Sequence, residues 1–182
     1  MFLEENAICE RIDHLVKDWV VPGRITESTA VSVSRWEASG EPVTFKEAVA
    51  HEFEPTSVGD NWSFPWGTTW FHISGTIPAH WLHRADLANQ RIELAIDLGF
   101  QGGGPGFQAE GTVYRPDGTV VKGIEPRNLN IPLEGELSDA AEHHVEFYVE
   151  AASNPDIASF GWGPLPCLLA RERRPARSPS IV

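Results

Sequence analysis

Hydrophobic and polar positions along this chain change from a helical period to a period of two, and the change divides it. Near the start, Ile8, Ile12, Leu15 and Trp19 recur at helical spacing with Val16 beside them. Such spacing predicts one apolar stripe on an amphipathic helix. Glu4 and Glu5 suit its first turn, where carboxylates meet the positive end of the helix dipole, and Pro22 with Gly23 stops it. A single stripe must lie on something. The reading taken is packing against the body of the same chain, with an interface helix as the alternative.

Over 31–36, Val31, Val33 and Arg35 alternate with Ser32, Ser34 and Trp36, which suits a strand with one buried face. The stretch FKEAVAHEFEP then sets Phe45, Ala48, Val49 and Phe53 on one helical face, with Thr44 as cap, Glu47 three residues on, and Pro55 as the stop. From Trp70 onward the period is two. Strands are expected over 69–77, 91–98, 107–114, 119–122, 128–133 and 144–151, with an RPDG turn at 115–118. Ile92, Leu94, Ile96 and Leu98, alternating with Glu93 and Asp97, carry the strongest strand signal.

Short strands joined by Gly, Pro and Asp, with no crossover helices between them, predict a mainly β fold: an antiparallel sandwich rather than a parallel α/β sheet. The expected organisation is a helical arm over 1–23, a β-sandwich over 24–170 and a disordered basic tail over 171–182.

Charge sharpens this. Up to Ala170 there are 25 acidic and 10 basic side chains, whereas RERRPARSPSIV at the end carries four arginines and one glutamate. An acidic body repels phosphate backbones, so no nucleic-acid partner is expected. No apolar run of the ~18 residues a membrane helix needs is present, and 1–20 lacks the apolar core of a signal peptide. No membrane partner is expected, and the location is read as cytoplasmic. Cys9 and Cys167 lie near opposite ends without metal-like spacing, and two reduced thiols are the reading preferred over one bridge.

Candidate chemistry is thin. HEFEP begins like a zinc-protease motif, but Pro55 stands where the second histidine belongs. The glycines of GFQGGGPGFQAEG precede a strand rather than a helix, so they form no phosphate cradle. His80 and His83 flank Trp81 in what reads as a surface turn. Asp97 with Glu110, or Glu110 with Glu125, could serve as acid and base only if the fold brings them together. Arg127 in EPRN (125–128) suits a bidentate contact or a loop salt bridge, and Asn154 in SNP (153–155) suits a turn brace.

The tryptophans raise the sharper question. In WSFPWGTTW, Pro65 and Gly67 break the chain before Trp70, so Trp62 and Trp66 fall on a loop that meets a long strand. They seal one end of the sandwich, stack on a sugar, or pack against a neighbouring domain. Closing the sandwich and bracing a neighbour is the reading preferred.

Three longer stretches carry a resemblance: GDNWSFPWGTTWFHISGTIPAHW (59–81), DLGFQGGGPGFQAEGTVYRPDGTVVKGIEPRN (97–128) and VEFYVEAASNP (145–155). Together they resemble the amino-terminal part of family 38 glycoside hydrolases, the bacterial and Ams1-like α-mannosidases in particular. The resemblance implies a jelly-roll or galactose-binding-like sandwich ahead of a catalytic domain. That domain would hold a divalent metal, usually zinc, and cleave terminal α-mannosides with retention through an aspartate nucleophile. The family's metal-binding segment is not in this sequence, so no catalytic residue and no cofactor carries over to it. What carries over is Trp62, Trp66 and Trp70, the PGFQAEG stretch with Glu110, and EPRN with Arg127 and Asn128. With Asn154 these are the candidates for docking the catalytic domain or for binding carbohydrate. After Leu169 the sequence departs from the family pattern, as expected of a truncated gene product, a frameshifted end or a domain fragment. No activity is expected of the chain alone, and a stand-alone carbohydrate-binding module is the alternative function.

Overall fold

Period two is realised as strands whose alternate side chains fill one interior. The structure is a computed structural model that describes residues 2–20, 23–57, 60–82, 91–100, 109–133, 143–154 and 180–181, the side chains of 2–5 and 180–181 excepted. In chain order the elements are α1 (Phe2–Leu15) with a π-helical extension Val16–Val20, β1 (Thr29–Ala30), β2 (Ser32–Ala38), α2 (Phe45–Ala48) and β3 (Glu54–Pro55). There follow β4 (Thr68–Thr76), α3 (Ala79–Leu82), β5 (Glu93–Ala95), β6 (Glu110–Tyr114), β7 (Val120–Ile124), β8 (Asn130–Pro132), β9 (His144–Ala152) and β10 (Ser180–Ile181).

Two antiparallel sheets result. One has six strands in the order β3-β2-β4-β9-β6-β7, the other four in the order β1-β10-β5-β8. The fold is therefore mainly β and antiparallel, preceded by a helix. At the centre β4 pairs with β9 over nine residues, setting Phe71 against Val149 and Ile73 against Phe147. Val145, Phe147, Val149 and Ala151 are all buried, as are Val113 on β6 and Ile124 on β7. Leu94 and Ile131, paired across the other sheet, close the interior from the opposite side. Each of the Val, Leu, Ile and Phe side chains among these contributes about 1.5–3 kcal/mol by leaving water.

The outer face of the six-stranded sheet is also covered. Trp70, His72, Tyr114 and Tyr148 share it, and the segment after β2 folds over them. Phe45 meets Trp70, Tyr114 and Tyr148 at ring-centroid distances of 6.0, 5.3 and 5.5 Å. Phe53 meets His72 and Tyr148, and His51 stacks on Trp36 at 3.9 Å. The reach of α2 is set by its cap: the Glu47 carboxylate accepts from the Thr44 amide at 2.9 Å while the Glu47 amide donates back to the Thr44 hydroxyl.

Several expectations change in detail. The helix predicted up to Pro55 ends at Ala48, and Pro55 instead sits in β3, the outermost strand. An edge strand tolerates a residue that cannot donate to the ladder. The strand predicted over 91–98 narrows to Glu93–Ala95, although Leu94, Ile96 and Leu98 are all buried. The amphipathic helix forms, yet its stripe does not pack on the body: Ile8, Ile12, Leu15 and Trp19 are exposed. Where a disordered tail is predicted over 171–182, Ser180 and Ile181 pair with β1 and β5, and the rest of the tail lies outside the described residues. Cys167, His83 and the glycine-rich 101–108 lie outside them too.

Candidate functional site

Register brings the candidate residues to one end of the six-stranded sheet. Thr68 at the start of β4 pairs with Ala152 at the end of β9, which pairs with Glu110 at the start of β6. Gly111 pairs with Ile124 at the end of β7. The loop before β4, the turn after β7, Glu110 and Asn154 therefore meet at a single rim.

The three tryptophans divide their roles. Trp62 is buried, donates from Nε1 to the Leu98 carbonyl at 3.1 Å and sets its edge against Phe71. It plugs the end of the core, and the Arg35 guanidinium holds the preceding carbonyl of Asn61. Trp70 is fully buried in the aromatic layer of the outer face. Neither ring offers a face to a ligand. Trp66 is 73% exposed, and Phe64 beside it 56%.

That display is imposed by the backbone. Ser63 and Trp66 have φ of 58° and 69°, a left-handed conformation that bulky L-residues rarely adopt and that costs of order 1–3 kcal/mol. It is held because the Trp66 amide donates to the Ser153 carbonyl at 2.7 Å, the Ser153 amide to the Gly67 carbonyl at 2.9 Å and the Gly67 amide to the Phe64 carbonyl at 2.9 Å. Glycine at 67 leaves room for this packing, since a Cβ there would meet the Ser63 hydroxyl and the Phe64 carbonyl and both would have to shift.

The polar candidates act as braces. Asn154 Nδ2 donates to Glu110 Oε1 at 3.2 Å. Asn128 accepts from Lys122 Nζ at 2.6 Å, donates from Nδ2 to the Gly123 carbonyl, and closes the turn through its amide to Glu125. Arg127 is exposed at the tip of that turn. Asp97 accepts from the amides of Gly99 and Phe100 at 2.9 and 3.0 Å. Beneath the rim, the Ser153 and Thr69 hydroxyls and Glu125 Oε2 are buried without hydrogen-bond partners. Among the described residues no group of three or more His, Cys, Asp and Glu could hold a metal ion. The zinc implied by the family resemblance has no fitting donor set there.

Sequence reasoning did not single out the carboxylate–aromatic pairs of the outer face. His72 Nε2 lies 2.8 Å from Glu146 Oε1, and the Tyr114 hydroxyl donates to Glu150 Oε2 at 2.9 Å. Burial, then the Glu150 hydrogen bond and charge, push the Tyr114 hydroxyl up to about 12. Burial, then Glu146, raise Tyr148 as well. The available signal was the polar half of the β4 and β9 alternation, where Glu146, Tyr148 and Glu150 stand two apart.

Residues 28–168 match the sequence family described as "Alpha-mannosidase, jelly roll domain" of the Ams1-like type. No curated protein matches the chain.

Proposed function

Because the chain belongs to the Ams1-like α-mannosidase family through its jelly-roll domain, we propose that it is an accessory β domain that docks on a catalytic neighbour and performs no hydrolysis itself. The observation that carries this reading is the Phe64–Trp66 loop, two large rings held out of the fold by a backbone clamped to Ser153. Strain of this kind persists where a surface is shaped for contact. Two of the three carboxylates weighed as an acid–base pair support it too: Asp97 is engaged by backbone amides and Glu110 by Asn154, while Glu125 keeps one oxygen buried without a hydrogen-bond partner.

Retaining cleavage of terminal α-mannosides, with its divalent metal, would then belong to the partner domain. An exposed, free Cys9 suits a reducing compartment, and the cytoplasm is the location proposed. Among the described residues no helix is long and apolar enough to cross a membrane.

One observation favours a second reading. The exposed Trp66 ring belongs to the same rim as the Asn154–Glu110 pair, and a flat aromatic face near polar side chains suits a sugar ring. Titration with mannose and short α-mannosides, read by tryptophan fluorescence, separates the two. The docking reading expects no response at millimolar sugar. A saturable change abolished by Trp66→Ala would replace it with a carbohydrate-binding module.

A further inference from the structure

The helix ahead of the jelly roll falls outside the family match, which begins at residue 28. Every described side chain from Asn6 to Val20 is exposed, with Ile12 at 55% and Trp19 at 79%. A helix of this length is marginal alone in water, and this one leaves six large apolar side chains uncovered. We propose that a second copy of this chain covers the stripe, with the two helices antiparallel.

The spacing selects this partner. Ile8, Ile12, Leu15 and Trp19 follow the four-three-four rhythm of a helix-pairing seam. The wider π-turn over Val16–Val20 advances each residue through a smaller angle than an α-turn, which brings Val20 round onto the same side. The stripe is also complementary to itself. A twofold axis between Asp13 and His14 sets Ile8 against Trp19 and Ile12 against Leu15, so each contact occurs twice, as an isologous interface requires. Parallel pairing would instead oppose the two Trp19 rings.

Charge points the same way. Residues 2–10 carry Glu4, Glu5 and Glu10 with no basic side chain, whereas Arg11 and Lys17 balance Asp13 and Asp18 over 11–20. Antiparallel helices lay the acidic half on the neutral half and oppose their dipoles favourably; parallel helices would set three carboxylates beside three.

Light scattering on the purified full chain tests the pairing. The expected mass is twice 20.1 kDa, falling to the monomer value on dilution and in Ile12→Glu. Thermal unfolding of the jelly roll should be unchanged by that substitution, which alters an exposed side chain. Orientation is read by adding Val16→Cys to the native Cys9, with Cys167→Ser removing the second native thiol. Antiparallel helices bring positions 9 and 16 of the two copies together, so mild oxidation gives a covalent dimer that Cys9→Ser abolishes. A monomer at every concentration, or a dimer that survives Ile12→Glu, overturns the proposal. Cross-linking of the wild type through Cys9 alone overturns the antiparallel arrangement.

Discussion

The Trp66 amide donates to the Ser153 carbonyl at 2.7 Å while the Trp66 ring stands in solvent. One residue thus fixes the loop through its backbone while its side chain stays exposed. Stability and display should therefore separate by position. Trp66→Gly, which relaxes the left-handed φ, should leave the unfolding free energy unchanged or raise it by up to about 1 kcal/mol in denaturant titration. Trp62→Ala, which empties the buried end of the core, should cost about 3–5 kcal/mol. Equal losses at the two positions would contradict the division of roles.

Gly118 closes the turn between β6 and β7 at φ 86°, and a Cβ there would stand 2.9 Å from the Phe45 ring. Gly118→Ala should cost about 1–3 kcal/mol, combining strain with overpacking of the aromatic layer. Gly123→Ala, where the nearest atom is at 3.8 Å, serves as the control and should change the unfolding midpoint little.

The two tyrosines of the chain, Tyr114 and Tyr148, both lie on the outer face. Their folded-state ionisation is raised above 10, so the fold favours the neutral phenols. For Tyr114 that stabilisation is complete below pH 10 and is lost as pH rises towards about 12. Absorbance titration of the native protein should place the Tyr114 step near 12 and the Tyr148 step above its ordinary value of 10, and both should return to about 10 in denaturant. Glu150→Gln should lower the Tyr114 value but leave it above 10, since burial is the larger cause.

The α2 cap gives the opposite dependence. Hydrogen bonds from the Thr44 side chain and then its backbone hold the Glu47 carboxyl below its usual 4.5. Its contribution is present above pH 4.5 and lost as pH falls through the lowered value. Wild type and Glu47→Gln should differ in thermal midpoint at neutral pH and converge in acid.

Much of the architecture was legible because β4 and β9 alternate so regularly: Phe71, Ile73, Phe147 and Val149 announce the buried face. The Thr44–Glu47 cap was legible from spacing alone. What escaped were choices made between distant segments. Phe45 and Phe53 share a helical face in sequence, yet the chain leaves the helix at Ala48 so that both rings lie on Tyr148. Trp62, Trp66 and Trp70 look alike in sequence. Only register and two left-handed residues decide that the middle one faces outward. The amphipathic stripe on α1 was visible, but its failure to pack on the body was not, because periodicity records an apolar face and not what covers it.

The account turns on this chain holding no hydrolytic centre of its own. Its most direct test is the release of chromophore from an aryl α-mannoside by the purified protein, with zinc supplied. The predicted rate equals that of the protein-free blank. A saturable rate that scales with protein concentration and falls in Glu110→Gln would contradict it.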